Sequence, residues 1–312
     1  MCTCVALNFD RFYFGRNMDL EGSFGERVVM APRNFLLKFQ NGLNMECHYA
    51  IMGMAAVVEG YPLFADAMNE KGLCMAGLNF PGNAVYCKEN EQGKYRVSPF
   101  ELIAWVLGRC DTVAEAEQLL RRTVLVDVPF SKSVPLTPLH WMVSDSSCSL
   151  VVEPMAEGLK IYKNPVGVLT NNPPFPYHLA NLAGYAHLGA GTPKSGWTED
   201  DRWLSMGLCG VGLPGDYSSP SRFVRTAFLK KNLWMTQEPT EQVDAFFRVL
   251  GAVAPPRGCV LSPQGKPHYT TYTCCMDVAE GQYICKKYGA SDVFYYRMAA
   301  EEMGQKELLL KS

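Results

Sequence analysis

The chain has 312 residues, 48% of them hydrophobic and 19% charged, with a formal net charge of −2. That composition supplies a sizeable core, excludes a disordered chain and leaves no basic field for nucleic acid or an anionic membrane, so neither is expected as a partner. No window approaches the roughly eighteen uncharged apolar residues of a transmembrane helix, and the length allows two domains or one large one.

The run Met1–Leu7 has no basic start and is closed by Asp10 and Arg11, which argues against a signal peptide and for a cytoplasmic protein. The twelve cysteines lack a framework spacing, so reduced, buried thiols are expected. There is no C-x-x-C pair, and the five histidines lack the spacing of a zinc site. Neither a metal nor any other cofactor is expected.

In chain order, Thr3–Phe9 and Phe12–Arg16 flank Asp10-Arg11 and predict a β-hairpin. Arg27–Ala31 and His48–Met54 continue the strand pattern. The turn cluster Met68–Gly72 joins Phe64–Ala67 to Leu73–Asn79. Ser98-Pro99-Phe100-Glu101 is a helix start, with Pro at the first position and Glu three residues after the Ser. Leu102, Ile103, Val106 and Leu107 follow at helical spacing. Thr112 and Glu115 repeat the signal ahead of Val113, Ala116, Leu119 and Leu120. Strands return at Leu139–Ser144, Ser149–Glu153, Leu159–Tyr162 and Gly167–Thr170. Tyr177–Tyr185, Ser221–Asn232 and Thr240–Ala252 read as helices. Strands at Tyr269–Met276, Gln282–Lys287 and Val293–Arg297 complete the chain. No repeat or linker divides it, so one α+β domain over residues 1–312 is expected, sheets inside and helices outside.

The chemistry begins at residue two. Methionine aminopeptidase removes Met before a small side chain, and removal of Met1 leaves Cys2 with a thiol and a free α-amine. That is a nucleophile carrying its own base, with an amine whose ordinary pKa sits near working pH. A hairpin turning at Asp10 pairs residues whose numbers sum to about 20, so Cys2 and Thr3 face Tyr13–Asp19. Arg16 can then favour the thiolate, and Asp19 can orient the amine.

Seven segments in order carry a resemblance. They are Met1-Cys2-Thr3, Phe14-Gly15-Arg16-Asn17-Met18-Asp19, Tyr61 to Leu73, and Ala76-Gly77-Leu78-Asn79-Phe80-Pro81-Gly82. Leu139-His140-Trp141, Leu169-Thr170-Asn171-Asn172-Pro173, and Leu213-Pro214-Gly215-Asp216 with Ser221-Arg222-Phe223 follow. Along almost the whole chain the sequence resembles the choloylglycine hydrolase family of N-terminal nucleophile (Ntn) hydrolases. The resemblance implies the four-layer αββα sandwich of that class, two mainly antiparallel sheets between helix layers. It implies Cys2 as the nucleophile, forming a thioester and releasing an amine. Asp19 would orient the α-amine, Arg16 would lie beside the thiol and Asn79 would serve an oxyanion hole. Asn171 would orient the amine and the scissile bond, and Arg222 would complete the charged cluster.

The resemblance also places Met18, Phe24, Val58, Ala65, Phe130, Val134 and Leu139 around the acyl part of the substrate, where burial of a rigid apolar face would supply affinity. It implies cleavage of the amide of glycine- or taurine-conjugated bile acids, and a homotetramer. Asn79 and the Ala76–Gly82 stretch resemble the bile-salt branch, whereas penicillin V acylases tend to carry Tyr at that position. A penicillin V acylase, or an amidase of N-acyl homoserine lactones or other N-acyl amino acids, is the alternative. The loop Met206–Val211 is short for lactic-acid-type members and lies where the amine half is thought to be sampled. Cys4 departs from the Gly of many members, and its thiol is expected on the strand face opposite Cys2.

Overall fold

The computed structural model describes residues 1–40, 42–88, 94–196, 204–234 and 237–311. A seven-stranded sheet holds β1 (Cys2–Asn8), β2 (Phe12–Leu20), β14 (Val168–Leu169), β15 (Val260–Leu261), β16 (Pro267–Asp277), β17 (Gln282–Lys287) and β18 (Phe294–Arg297). Its order is β14-β1-β2-β16-β17-β18, with β15 paired to β16. An eight-stranded sheet holds β3 (Arg27–Ala31), β6 (Ile51–Val58), β7 (Tyr61–Asn69), β8 (Cys74–Asn79), β11 (Leu139–Ser144), β12 (Ser149–Met155), β13 (Gly158–Lys163) and β19 (Leu309–Leu310). Its order is β13-β12-β11-β8-β7-β6-β3-β19. Every pairing within these two sheets is antiparallel. Two small ribbons, β4 (Leu37–Lys38) with β5 (Asn44–Met45) and β9 (Tyr95–Val97) with β10 (Thr123–Leu125), lie outside them.

Strand alternation separates two cores. In the eight-stranded sheet Met52, Met54, Met68, Cys74, Ala76, Leu78 and Met142 join the buried residues of the seven-stranded sheet in one cluster. Their strand neighbours Ile51, Ala55, Ala67, Leu73, Met75, Trp141 and Val143 turn the other way, onto helices α1 (Leu102–Leu107) and α2 (Val113–Arg121). Helices α4 (Ser219–Asn232) and α5 (Pro239–Gly251) cover the outer face of the seven-stranded sheet, and α3 (Phe175–Ala183) contacts α4. The layers run helix, sheet, sheet, helix, the αββα sandwich of the Ntn class.

Helix starts follow local chemistry. The Glu101 carboxylate accepts from the Ser98 backbone N–H at 3.0 Å, one arm of the anticipated capping box, but the first turn is 3-10 before α1 begins at Leu102. Thr112 accepts from Glu115 N–H at 3.2 Å to open α2. In the hairpin the register is Cys2↔Met18, Thr3↔Asn17 and Cys4↔Arg16, the sum of 20 set by a turn at residues 9–11.

That register corrects one expectation. Cys2 and Cys4 are two residues apart on one strand, so their side chains share a face, and both belong to the inter-sheet cluster. Thr3 and Asn17 point to the helices instead: Arg222 donates to Thr3 Oγ1 at 2.7 Å, and Asn17 Nδ2 donates to the Leu250 carbonyl at 2.7 Å.

Candidate active site

Cys2 is 2% exposed at the start of β1, and its surroundings come from segments distant in sequence. Its backbone N–H donates to Asn171 Oδ1 at 2.8 Å, and its carbonyl accepts from Arg222 Nη1. Arg222 Nη2 donates to the same Asn171 Oδ1 at 2.7 Å, and Arg222 Nε donates to the Tyr217 carbonyl at 3.0 Å. Asn171 Nδ2 in turn donates to the Asn79 carbonyl at 2.7 Å. One carboxamide thus ties the first strand, helix α4 and the end of β8 together.

Each of these side chains is delivered by local structure. Arg222 lies in the first turn of α4, whose start is fixed by Asp216: its carboxylate accepts from Ser218 N–H at 2.8 Å and Ser221 Oγ at 2.6 Å. These hydroxyls and the backbone N–H hold the Asp216 carboxyl down at about 2. Burial lowers the pKa of Arg222, with Asp19 and Cys2 opposing that shift. Asn171 follows β14, its N–H donating to Ser219 Oγ at 2.8 Å and its carbonyl meeting His178 Nε2 at 2.9 Å. Burial pushes His178 down to about 4, so its ring is neutral and Nε2 is the donor.

Asp19 lies near the end of β2, paired with Thr270 of β16. Its carboxylate accepts from Thr270 Oγ1 at 2.6 Å, while Oδ2 is buried and has no hydrogen-bond partner among the described residues. Its main chain pairs with Met1, whose ammonium donates to the Asp19 carbonyl at 2.8 Å. Arg16 is wholly buried beside Cys2. It donates to the carbonyls of Gly77, Ala65 and Asn17 and to Met18 Sδ. Burial works against its charge, but Cys2, Tyr272, Asp66 and Cys4 hold the guanidinium pKa above its ordinary value.

A cavity of about 430 Å³ opens onto Cys2. Its walls contain Met18, Phe24, Val58, Ala65, Val134 and Leu139 of the anticipated acyl pocket, together with Arg16 and Asn79. The Asn79 carboxamide leaves Oδ1 buried with no hydrogen-bond partner among the described residues, an uncommitted polar group in an apolar wall. Phe24, 39% exposed, stands on a turn braced by Glu26, which accepts from Ser23 Oγ and Phe24 N–H at 2.7 and 2.8 Å.

Phe130 is the exception among the anticipated residues. It stands behind the wall, edge-on to Phe100 at 5.2 Å and tilted against Tyr61 at 5.8 Å, and Phe100 is the ring that meets the cavity. Sequence reasoning missed Phe100, Ile103, Pro135, Thr137 and Trp141 as wall residues. Ile103 and Trp141 read simply as core, and no local signal separates a core residue from one at a cavity edge. No residue of 206–211 is among the described wall residues. Among the described residues, no group of three His, Cys, Asp or Glu side chains is placed to hold a metal ion.

Residues 2–311 match the family described as linear amide C-N hydrolases, choloylglycine hydrolase family. The chain belongs to the choloylglycine hydrolase family. It is 45% identical to a bile salt hydrolase/transferase of Lactiplantibacillus plantarum, over 99% of this chain and 96% of that protein. It is 38% identical to a bile salt hydrolase/transferase of Clostridium perfringens, over 99% of this chain and 95% of the other. The crystal structure of a variant of the conjugated bile acid hydrolase from C. perfringens superposes with a TM-score of 0.91 at 36% identity, covering 99% of this chain and 96% of that one. A penicillin V acylase from Agrobacterium tumefaciens shares the fold, with a TM-score of 0.77 at 22% identity over 98% of this chain and 90% of that one. As a choloylglycine hydrolase family member, the chain is a linear-amide C–N hydrolase.

Proposed function

We propose that this protein hydrolyses the amide bond of glycine- or taurine-conjugated bile acids, with Cys2 as nucleophile after Met1 is removed. The observation that carries the reading is the apolar cavity of about 430 Å³ ending on a buried thiol, a volume within the range of small-molecule sites. The names borne by the relatives at 45% and 38% identity support it.

Loss of Met1 turns the Cys2 N–H into a primary amine, still facing Asn171 Oδ1. Asp19 Oδ2, buried and without a hydrogen-bond partner among the described residues, is the carboxylate oxygen open to the new ammonium. The α-amine takes the thiol proton, and the thiolate, beside Arg16, attacks the amide carbonyl carbon. Negative charge moves to the carbonyl oxygen, where the Asn79 carboxamide, turned to present Nδ2, donates to it. The tetrahedral intermediate collapses as the ammonium passes its proton to the leaving nitrogen. Glycine or taurine departs and a thioester remains on Cys2. A water, deprotonated by the same amine, attacks the thioester and releases the bile acid with the thiol restored. Met18, Phe24, Val58, Ala65, Val134 and Leu139 receive the steroid face, and Phe130 braces them through Phe100. Arg222 and Asn171 fix the main chain of Cys2, so the nucleophile enters the reaction already oriented.

The same reading includes one catalytic domain over residues 1–312, no cofactor, a cytoplasmic bacterial location and a homotetrameric assembly. No described helix is long and apolar enough to cross a membrane. The test is amine release from glycocholate, taurocholate and penicillin V, side by side with reductant present. Fast release from either bile salt and slow release from penicillin V is the expected order. The reverse order keeps the Cys2 chemistry and moves the substrate to the acylase class.

A further inference from the structure

Behind the nucleophile lies a buried acid that the catalytic scheme does not use. Asp66, on β7 of the eight-stranded sheet, is 0% exposed and points at the other sheet. It accepts from Tyr272 Oη and Tyr283 Oη, both at 2.6 Å, and from the Cys274 thiol at 3.5 Å. These donors sit in register with the catalytic strand. Cys4 pairs with Arg16, Arg16 with Cys274 and Cys274 with Cys285, while Cys2 pairs with Met18 and Met18 with Tyr272. Cys2, Cys4, Arg16, Tyr272, Cys274, Tyr283 and Cys285 are therefore the buried titratable groups of β1, β2, β16 and β17 on this face, opposite the carboxylate, and the exposed Lys287, paired with Tyr272, stands at its edge.

Arg16 makes no direct ion pair among the described residues, and its N–H groups go to carbonyls and a thioether. An isolated guanidinium is costly to bury, so it needs an anion nearby. While Cys2 is a neutral thiol, Asp66 is the carboxylate whose charge acts on Arg16. When Cys2 ionises, Arg16 has two anions to balance.

We propose that Asp66 is a positioning residue acting through Arg16: its charge competes with the Cys2 thiolate for the guanidinium and so sets the pH at which Cys2 becomes nucleophilic. The two phenols aimed at Asp66 favour its ionised form through short charge-assisted hydrogen bonds. Burial pushes the Asp66 carboxyl up, and Arg16, Tyr272, Tyr283 and Cys274 oppose that shift. The proposal rests on Cys2 being the nucleophile, and its readout is independent of turnover.

The test is the pH midpoint of Cys2 alkylation by iodoacetamide in the full chain, with the adduct mapped to the N-terminal peptide by mass spectrometry. Asp66→Asn removes the competing charge and is expected to lower the midpoint by about one pH unit. Asp66→Glu, which keeps the charge, holds it near the wild-type value. Tyr272→Phe combined with Tyr283→Phe removes both phenols and moves the midpoint the same way by less, which serves if Asp66→Asn does not fold. A midpoint unmoved in the folded variants, with only a lower Tm, overturns the proposal and leaves Asp66 a structural residue. Amine release that survives Cys2→Ala would instead overturn the functional reading.

Discussion

Two cavities of the molecule differ in what their walls leave uncommitted. The larger, about 1000 Å³, lies beside α1 and α2, and several of the charged groups that line it have partners. Arg33 pairs with Glu70, which also accepts from Ala50 N–H at 2.8 Å. Glu115 accepts from Asp111 N–H at 3.0 Å, and both His48 nitrogens meet backbone carbonyls at 2.7 and 2.9 Å. Arg109 stacks on Trp105 at 3.9 Å. The smaller cavity, about 430 Å³, has apolar walls around a thiol and Asn79 Oδ1, unpartnered among the described residues. Size therefore misleads and unsatisfied chemistry does not: a polar atom buried without a partner costs free energy that folding alone does not repay.

The contrast between the two cavities is greatest at Cys2. Cys2→Ala should lower amine release from a conjugated bile acid by ~10³-fold or more while leaving the Tm close to wild type. At the cavity wall, Asn79→Ala removes the oxyanion donor and should lower kcat by roughly 10²–10³ with a smaller change in KM. Steady-state kinetics on glycocholate checks both.

Behind the cavity, His178 holds the Asn171 carbonyl as a neutral ring with its pKa lowered to about 4. The unfolded chain binds a proton near 6.5, so the stability this site contributes is fully present above that pH. It is lost as pH falls from 6.5 toward 4, by at most about 3 kcal/mol. A Tm series from pH 7 to pH 4 should fall less steeply for His178→Gln than for the wild type. At the rim, Phe24→Ala should raise KM for the bile salt by about 5-fold through lost apolar contact, with kcat retained. In the larger cavity, Arg109→Ala should leave amine release unchanged and lower stability by about 1 kcal/mol through the lost stack on Trp105. A fall in turnover there would erase the contrast between the two cavities.

What could be read from the sequence follows the range of the interactions. The Cys2 hairpin and its register were legible because a short turn fixes the pairing of neighbouring strands. Arg27–Ala31, Leu139–Ser144 and Gln282–Lys287 carry enough β-prone residues to mark their own bounds. The two- and three-residue strands β4, β5, β9, β10, β15 and β19 are too short for a periodic signal. Asn79, Asn171 and Arg222 come from a strand end, a loop and a helix that only the tertiary fold brings to Cys2. Without the family resemblance, the two asparagines read as turn residues.

Two side chains show where pattern reading went astray. Cys4 shares the strand face of Cys2, against the expectation of the opposite face, and period two alone assigns it there. Phe130, an aromatic in a turn-rich stretch, packs behind the wall, while Phe100 from the helix start reaches the cavity. Asp66 did carry a signal: an acid flanked by Ala65 and Ala67 in an apolar strand must either face solvent or find partners, and it finds Tyr272 and Tyr283.

Turnover as described requires that a processed N-terminal Cys2 carry the acyl group. That requirement is tested most directly by mass spectrometry of the protein acid-quenched during glycocholate turnover. The expected chain lacks Met1, and a fraction bears one cholyl group on the N-terminal peptide as an alkali-labile thioester. An active protein that retains Met1, or an acyl group mapped to any other residue, would contradict it.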